Sequence, residues 1–421
     1  MTLSGPSLSS VDRSVSWPSV LMVVGKVAQM GCGFLFWIVA ARITDVAGVG
    51  TVAATVSAVM LVTQIGLLGV GATMIVSIGQ GEPVGRVLDT GFTVVTATSF
   101  LAAGGYVLIT AVGSGHVATT QSTFPFVALF LMAAVCGTIG ACLDQAGIAL
   151  GRPSGTVVRY LLGGVVMLGG LPVLAAASRG HLDAGPVFAV WTLSSVVICV
   201  TGAVQLRRWV GYRYRGGLDT GGLRRHLAVG VPNHLLTLTE RLPALLVPVL
   251  VAHLVSPEAT AYWYPAWMLA WVAFTVPVQV GLVQFSEGVR RPGELARTVR
   301  SGFASGLLLG APAALVVAVF AHPLLGLIGA AYAEESATAL RVLTLGIVPF
   351  ALWQSYNARC RASGQVREGV VAGIVLAATI CVATVWVAPQ GSTALAVAWV
   401  VSSSLGAVWA AWRLTRPEPV G

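Results

Sequence analysis

Arg207-Arg208-Trp209-Val210-Gly211-Tyr212-Arg213-Tyr214-Arg215-Gly216-Gly217-Leu218-Asp219-Thr220-Gly221-Gly222-Leu223-Arg224-Arg225-His226 is the longest polar run in the chain. It holds six arginines and one acid, close to the midpoint of 421 residues. An apolar half of similar length lies on each side. The whole chain is 56% hydrophobic and only 9% charged, against about 25% charged in soluble domains. A chain this apolar has too little polar surface to face water, which points to an integral membrane protein. The net charge of +9 would suggest nucleic acid in a soluble protein. Here the basic residues cluster in short links between apolar runs, as orienting loops do. No nucleic-acid partner is expected.

Working outward from the basic run, six apolar stretches fall on each side, each near the ~20 residues that cross a bilayer. Before it they are 17–41, 48–78, 87–113, 122–149, 154–177 and 185–206. After it they are 227–252, 260–285, 302–321, 336–356, 369–388 and 393–412. Residues 1–16 read as a Ser-rich disordered tail and 413–421 as a second short tail. The expected domains are thus a six-helix bundle over 17–206, a linker over 207–226 and a second bundle over 227–412. Arginine placement orients them. With the N-terminus inside, Arg13, Arg86, Arg152, Arg159, the central six, Arg290, Arg291, Arg297, Arg300, Arg359, Arg361, Arg367, Arg413 and Arg416 fall on one side. Arg42, Arg179 and Arg341 fall on the other. This bias places both termini and the linker in the cytoplasm, in a plasma or inner membrane.

The halves read as copies. Ala149-Leu150-Gly151-Arg152 recurs as Ala362-Ser363-Gly364-Gln365, and Trp191-Thr192-Leu193-Ser194-Ser195 as Trp399-Val400-Val401-Ser402-Ser403. Asp45–Gly50 matches Ser256–Ala261 in position. The spacing agrees at about half the chain, so two parallel six-helix repeats are expected. The six cysteines are scattered and have no metal-ligand spacing, so each reads as a small apolar residue and no metal is expected. No phosphate-binding Gly-rich loop, zinc-binding His pair or serine elbow is present, and no enzymatic activity is expected.

Arg42-Ile43-Thr44-Asp45-Val46-Ala47-Gly48-Val49-Gly50 followed by Thr63-Gln64-Ile65-Gly66-Leu67-Leu68-Gly69-Val70-Gly71 resembles the first hairpin of polysaccharide flippases. These belong to the multidrug/oligosaccharidyl-lipid/polysaccharide exporter superfamily. Ser256-Pro257-Glu258-Ala259, Pro277, Ser286-Glu287 and the Ala-x-Gly ahead of the eleventh run are similar to theirs. Val46 departs from the pattern, where proline is frequent. The resemblance implies an all-α polytopic membrane protein. Its twelve transmembrane helices would form two bundles around a central cavity, and a lipid-linked saccharide would move by alternating access. Membrane lipids and envelope glycan-assembly proteins are the partners it implies, around a monomer. No cofactor is expected, and coupling to Na+ or H+ stays open.

Charges inside spanning runs are costly and therefore informative. Lys26, the only lysine, lies in the first run with Gln29 on its face. In the seventh run Asn233, His234, Thr237, Glu240 and Arg241 fall within about 120° of one another on a helix, opposite Leu and Val. Such a stripe must face a cavity or other protein. Lys26 and Arg241 suit an anionic group such as a lipid-linked diphosphate, because a guanidinium fork binds two oxygens. Glu240 reads either as a proton or cation site or as a packing partner for Lys26. Gln29, Asn233 and Thr237 would line the same site. Trp263, Trp267 and Trp271 share a face of the eighth run, as an interface belt or as a sugar-stacking platform using Trp267 and Trp271. Asp144, with Arg152 and Arg159 downstream, suggests an inner gate, or a solvated helix end. The rival readings are a drug or cation antiporter of the same superfamily, and a membrane-embedded glycan polymerase or glycosyltransferase. The first would want free acids in the cavity. The second would want a catalytic acid or base near a large outer loop, and the longest expected here is His322–Ser336.

Overall fold

A computed structural model describes residues 29–112, 124–152, 154–178, 182–225, 230–290 and 292–416. Every regular element among them is helical. The first half comprises α1 (Gln29–Ile43), α2 (Val46–Leu67), α3 (Val70–Gly79), α4 (Val84–Val112), α5 (Phe124–Ala149), α6 (Ser154–Ala177) and α7 (Ala184–Val210). A short α8 (Thr220–Arg225) interrupts the linker. The second half comprises α9 (Val231–Leu254), α10 (Pro257–Arg290), α11 (Leu295–Val319), α12 (Ala321–Gly326), α13 (Ala330–Leu345), α14 (Ile347–Ala362), α15 (Val366–Val387) and α16 (Ser392–Thr415). Helices suit a bilayer because every backbone group finds a partner within its own segment. Ten of these helices are long and apolar enough to cross a membrane, and α13 with α14, bent by 45°, makes an eleventh span. The apolar helix α1 stands where the first of twelve is expected. Large side chains such as Leu101, Ile109, Val173, Leu308 and Trp386 remain exposed along the outer faces, as hydrocarbon contact requires.

Three boundaries differ from the sequence reading. The second run is two helices, because Leu68 (φ 42°) and Gly69 (φ 78°) both adopt left-handed backbone and break the helix. The tenth run is longer than expected and bends at Gly346 between α13 and α14. The segment His322–Ser336 is mostly helix rather than loop, since α12 and the start of α13 occupy it. The arginines Arg207 and Arg208 belong to the last turn of α7, whose end is capped by Gly211 at φ 66°.

Helix α2 sits at the seam. It packs on α4, α5 and α7 of its own half and on α9 and α10 of the other. Its small residues allow this, as is usual where spanning helices approach closely. At its first turns, any side chain on Gly50 would strike the Pro257 carbonyl at the start of α10. Further along, Ala54 and Ala252 pack together, and beyond α2's end Gly69 lies against the backbone of Gly230 at the start of α9. The Asp45 carboxylate caps α2 by accepting the Gly48 N–H at 3.0 Å. Beside it, the Thr44 hydroxyl donates to Leu182 O and the Leu182 N–H donates to Ile43 O, both at 2.8 Å. These bonds tie the α1–α2 hairpin to the residues before α7.

Candidate functional site

The polar stripe on α9 is real, and its two edges serve different neighbours. One edge turns into the C-terminal half. There the Glu240 carboxylate accepts from Asn357 Nδ2 at 2.7 Å and from Arg361 Nη2 at 3.1 Å. Arg361 also donates to the Thr237 hydroxyl at 3.2 Å. Glu240 and Arg361 are only 10% and 12% exposed, so the charges satisfy each other in a dry setting, as buried charges must. The partner of Glu240 is therefore Arg361 of α14, within the same half. Neither the neighbouring Arg241 nor a residue of α1 fills that role among the described residues, and the pair does not bridge the two halves.

The other edge faces the N-terminal half. His234 Nε2 donates to Gln64 O on α2 at 2.6 Å. Arg241 lies seven residues on, which returns it to the face of His234 about two turns further along. It is exposed, and it makes no hydrogen bond or ion pair with any described residue. Met60 of α2 is exposed too, at 40%. The α2–α9 contacts on either side, Gln64 with His234 and Ala54 with Ala252, are closed. Arg241 thus stands exposed on the face of α9 that His234 turns to α2, roughly 15 Å from the start of its helix. Asn233 is half-buried one turn before Thr237, whose hydroxyl donates to its carbonyl at 3.3 Å. Lys26 lies outside the described residues.

Gln29 is half-buried on α1 and hydrogen-bonds the Tyr160 side chain. The Tyr160 hydroxyl donates to Asp144 Oδ2 at 2.6 Å, and Arg159 Nη2 donates to Asp144 Oδ1 at 2.6 Å. Arg159, 1% exposed, also donates to Gln205 Oε1 at 2.5 Å and to the Thr156 hydroxyl at 3.0 Å. Of the two arginines downstream of Asp144, Arg159 makes the ion pair. Arg152 is exposed, with its guanidinium 5.8 Å from the centre of the Trp209 ring. The cluster joins α5, α6 and α7 inside one half. The other half has its own: Arg413 Nε and Nη2 each donate to Glu368 at 2.7 Å, and the Tyr356 hydroxyl donates to Glu368 at 3.1 Å.

The Gln29–Asp144 cluster of the first half and the Glu240–Asn357 cluster of the second occupy corresponding places. Glu240 stands as far before Pro257 as Gln29 does before Val46, and Asn357 as far before Ala362 as Asp144 before Ala149. The first half thus has its amide on the leading helix and its carboxylate on the later one. The second half reverses them.

Trp267 is buried at 6%. Its ring centre is 4.4 Å from that of Trp399 on α16, with Trp263, Trp271 and Phe274 within 6.1 Å. Trp271, half-buried, meets Phe350 of α14 at 5.8 Å. These aromatics form packing between α10, α14 and α16, and Trp267 offers no face to a ligand in this conformation.

Comparison with known proteins places this architecture. A family model described as MatE matches residues 237–387, the stretch that begins at the α9 stripe and runs through α15. A structure described as the inward-facing conformation of a multidrug resistance MATE family transporter of the MOP superfamily superposes with a TM-score of 0.69, at 15% identity. It covers 94% of this chain and 98% of that one. The fold is that of the MATE-type transporters of the MOP superfamily. The lipid II flippase MurJ, in an inward closed conformation, superposes with a TM-score of 0.73 at 10% identity, covering 94% of this chain and 88% of that one. A MOP-superfamily transporter from Pyrococcus furiosus, whose description cites a binding pocket of reverse polarity, gives 0.66 at 13% identity over 98% and 99% of the two chains. No curated protein matches the sequence. Within this fold, Arg241 is exposed on the α9 face that carries His234, whereas Glu240, Asp144 and Glu368 are each committed to an arginine inside one half.

Proposed function

We propose that this chain is an alternating-access transporter that moves a lipid-linked saccharide across the membrane, with Arg241 receiving its phosphate. The observation that carries the reading is the charge left over in the seam. The deep carboxylates Glu240 and Asp144 are already neutralised by Arg361 and Arg159. Arg241 is exposed on the face that turns to α2. A cationic substrate would meet an unopposed guanidinium there, and an anionic headgroup would meet a bidentate donor. Lys26, in the expected first spanning run, would add a second cation. The likeness to MurJ, described as a lipid II flippase, supports the same class.

The second reading is a drug or cation antiporter, favoured by the MatE match over residues 237–387 and by the multidrug transporter among the similar structures. It would require Glu240 to release Arg361 during the cycle. The two readings separate in one experiment. The gene is deleted, lipid extracts are analysed, and drug sensitivity is scored. Accumulation of a lipid-linked saccharide, reversed by the wild-type chain and not by Arg241→Ala expressed at the same level, is expected. Drug hypersensitivity with an unchanged lipid-linked pool would replace the flippase with the antiporter.

A further inference from the structure

The linker that divides the chain is folded, and it builds a second basic site away from the seam. After the Gly211 cap the chain runs extended. Arg213 and Arg215 alternate along it with Tyr212 and Tyr214. The tyrosines anchor on α4. The Tyr212 hydroxyl donates to Asp89 Oδ1 at 2.8 Å, and its ring centre lies 6.1 Å from that of Phe92. The Tyr214 hydroxyl lies 2.8 Å from the Thr93 hydroxyl. Backbone groups continue the strap: the Arg215 N–H donates to Asp89 Oδ1 and the Asp219 N–H to the Thr90 hydroxyl, both at 3.1 Å. Gly216 (φ 71°) and Gly217 (φ 141°) supply the turn between these two attachments.

Between the strap and the first turns of α4 lies a cleft of about 620 Å³. Arg86, Arg213 and Arg215 line it, and all three are exposed and without an ion pair among the described residues. Two acids, Asp89 and Asp219, also line it against the three arginines, each carboxylate held in place by hydrogen bonds. Asp89 accepts from Tyr212 and the Arg215 N–H, and Asp219 accepts from the Gly221 N–H at 3.3 Å. Gly85, on the α4 wall, faces open space, so nothing from the protein fills that wall. Three free guanidinium forks around a preformed polar cleft match phosphate oxygens. The cleft lies where α4 begins and α7 ends, the level of the lipid headgroups if the arginine-rich end is cytoplasmic.

We propose that this cleft binds a phosphate-bearing headgroup, so that an anionic lipid holds the joint between the halves against α4. The proposal stands apart from what the seam carries. Its test uses the full chain in phosphatidylcholine nanodiscs, with native mass spectrometry counting retained phosphatidylglycerol. In a parallel arm, sn-glycerol 3-phosphate and inorganic phosphate are titrated. The wild type should retain at least one tightly held phosphatidylglycerol. The triple variant Arg86→Gln, Arg213→Gln and Arg215→Gln should hold it about tenfold or more weakly. Gly85→Leu, which keeps every charge but occupies the cleft, should weaken it as well. The pair Arg207→Gln and Arg208→Gln, one step outside the cleft, should leave it unchanged. Saturable binding of the soluble phosphates, lost in the same variants, would identify a free phosphate as the ligand source and keep the site. Equal losses in the triple variant and the Arg207/Arg208 pair would mean diffuse surface attraction and overturn the proposal. So would no loss in the triple variant.

Discussion

Arg241 and Glu240 are neighbours in sequence and opposites in circumstance. Adjacent residues on a helix point about 100° apart, which sends the carboxylate into its own half and the guanidinium toward the other. Two predictions belong at this scale. Arg241 makes no hydrogen bond or ion pair with any described residue, so Arg241→Ala should leave the folded state intact by thermal unfolding in detergent. Transport should fall roughly tenfold or more, the loss of one charge-assisted contact, and Arg241→Lys should recover only part of it because the fork is gone. Arg361→Ala does the reverse. It leaves Glu240 buried with Asn357 as its remaining donor, at a cost of about 3 kcal/mol. Adding Glu240→Gln should restore much of that stability, and a double-mutant cycle on the unfolding midpoint measures the coupling. The α9 stripe could be read from periodicity alone. The partner Arg361 could not, because it lies on α14, far along the chain, and helical spacing reports which face a residue occupies rather than what meets it. The same limit hid the role of Trp267. Its spacing marks a face, but burial against Trp399 depends on how α16 crosses α10.

At the level of elements, the seam is governed by glycine and alanine on α2. Gly50 touches the Pro257 carbonyl, so one end of the seam has no room for a methyl group. Gly50→Leu should force the α2 and α10 ends apart, at an overpacking cost of about 1–3 kcal/mol. Labelling of a cysteine placed at Met60 by a membrane-impermeant maleimide from the far side should then rise; unchanged labelling would mean that this contact does not set which side is open. The Ala54–Ala252 contact gives a reversible lock. A disulfide between Ala54→Cys and Ala252→Cys should halt transport, and reduction should restore it. Most elements were legible in the sequence, because twenty apolar residues between basic links admit few alternatives. The breaks were harder. Gly69 sits in a run with Gly66 and Gly71, and which of them turns left-handed depends on the approach of Gly230. The bend at Gly346 is similarly set by neighbours, with Phe274 and Val400 closing on that glycine.

For the whole molecule, the duplicated plan was visible from Ala149–Arg152 and Ala362–Gln365. Both segments end a helix on a left-handed glycine, Gly151 at 68° and Gly364 at 73°. What the repeat did not disclose is how the copies diverge. Each half closes its arginine-rich end with its own ionic cluster, Asp144–Arg159 in one and Glu368–Arg413 in the other. The charges sit on different helices in the two copies. Each half is thus braced from within, while the seam is closed by apolar packing, with Trp37 against Tyr264 at 5.1 Å, by small residues and by single hydrogen bonds such as His234 to Gln64. Truncating Arg159 should therefore loosen the first half alone. Hydrogen exchange in α5, α6 and α7 should accelerate while α15 and α16 keep their protection. Parallel acceleration in both halves would show that the clusters are coupled.

The interruption at Leu68–Gly69 extends this divergence to stiffness. Its counterpart in the second half, α10, runs unbroken for 34 residues, whereas the first half spends a non-glycine residue in left-handed backbone to end α2, at about 1–2 kcal/mol. A bending load shared by both copies is taken up first at that joint. The second copy yields only within α10's own turns, at Pro265 and Pro277, each of which removes one helix hydrogen bond, so the two copies, alike in outline, differ in where they bend.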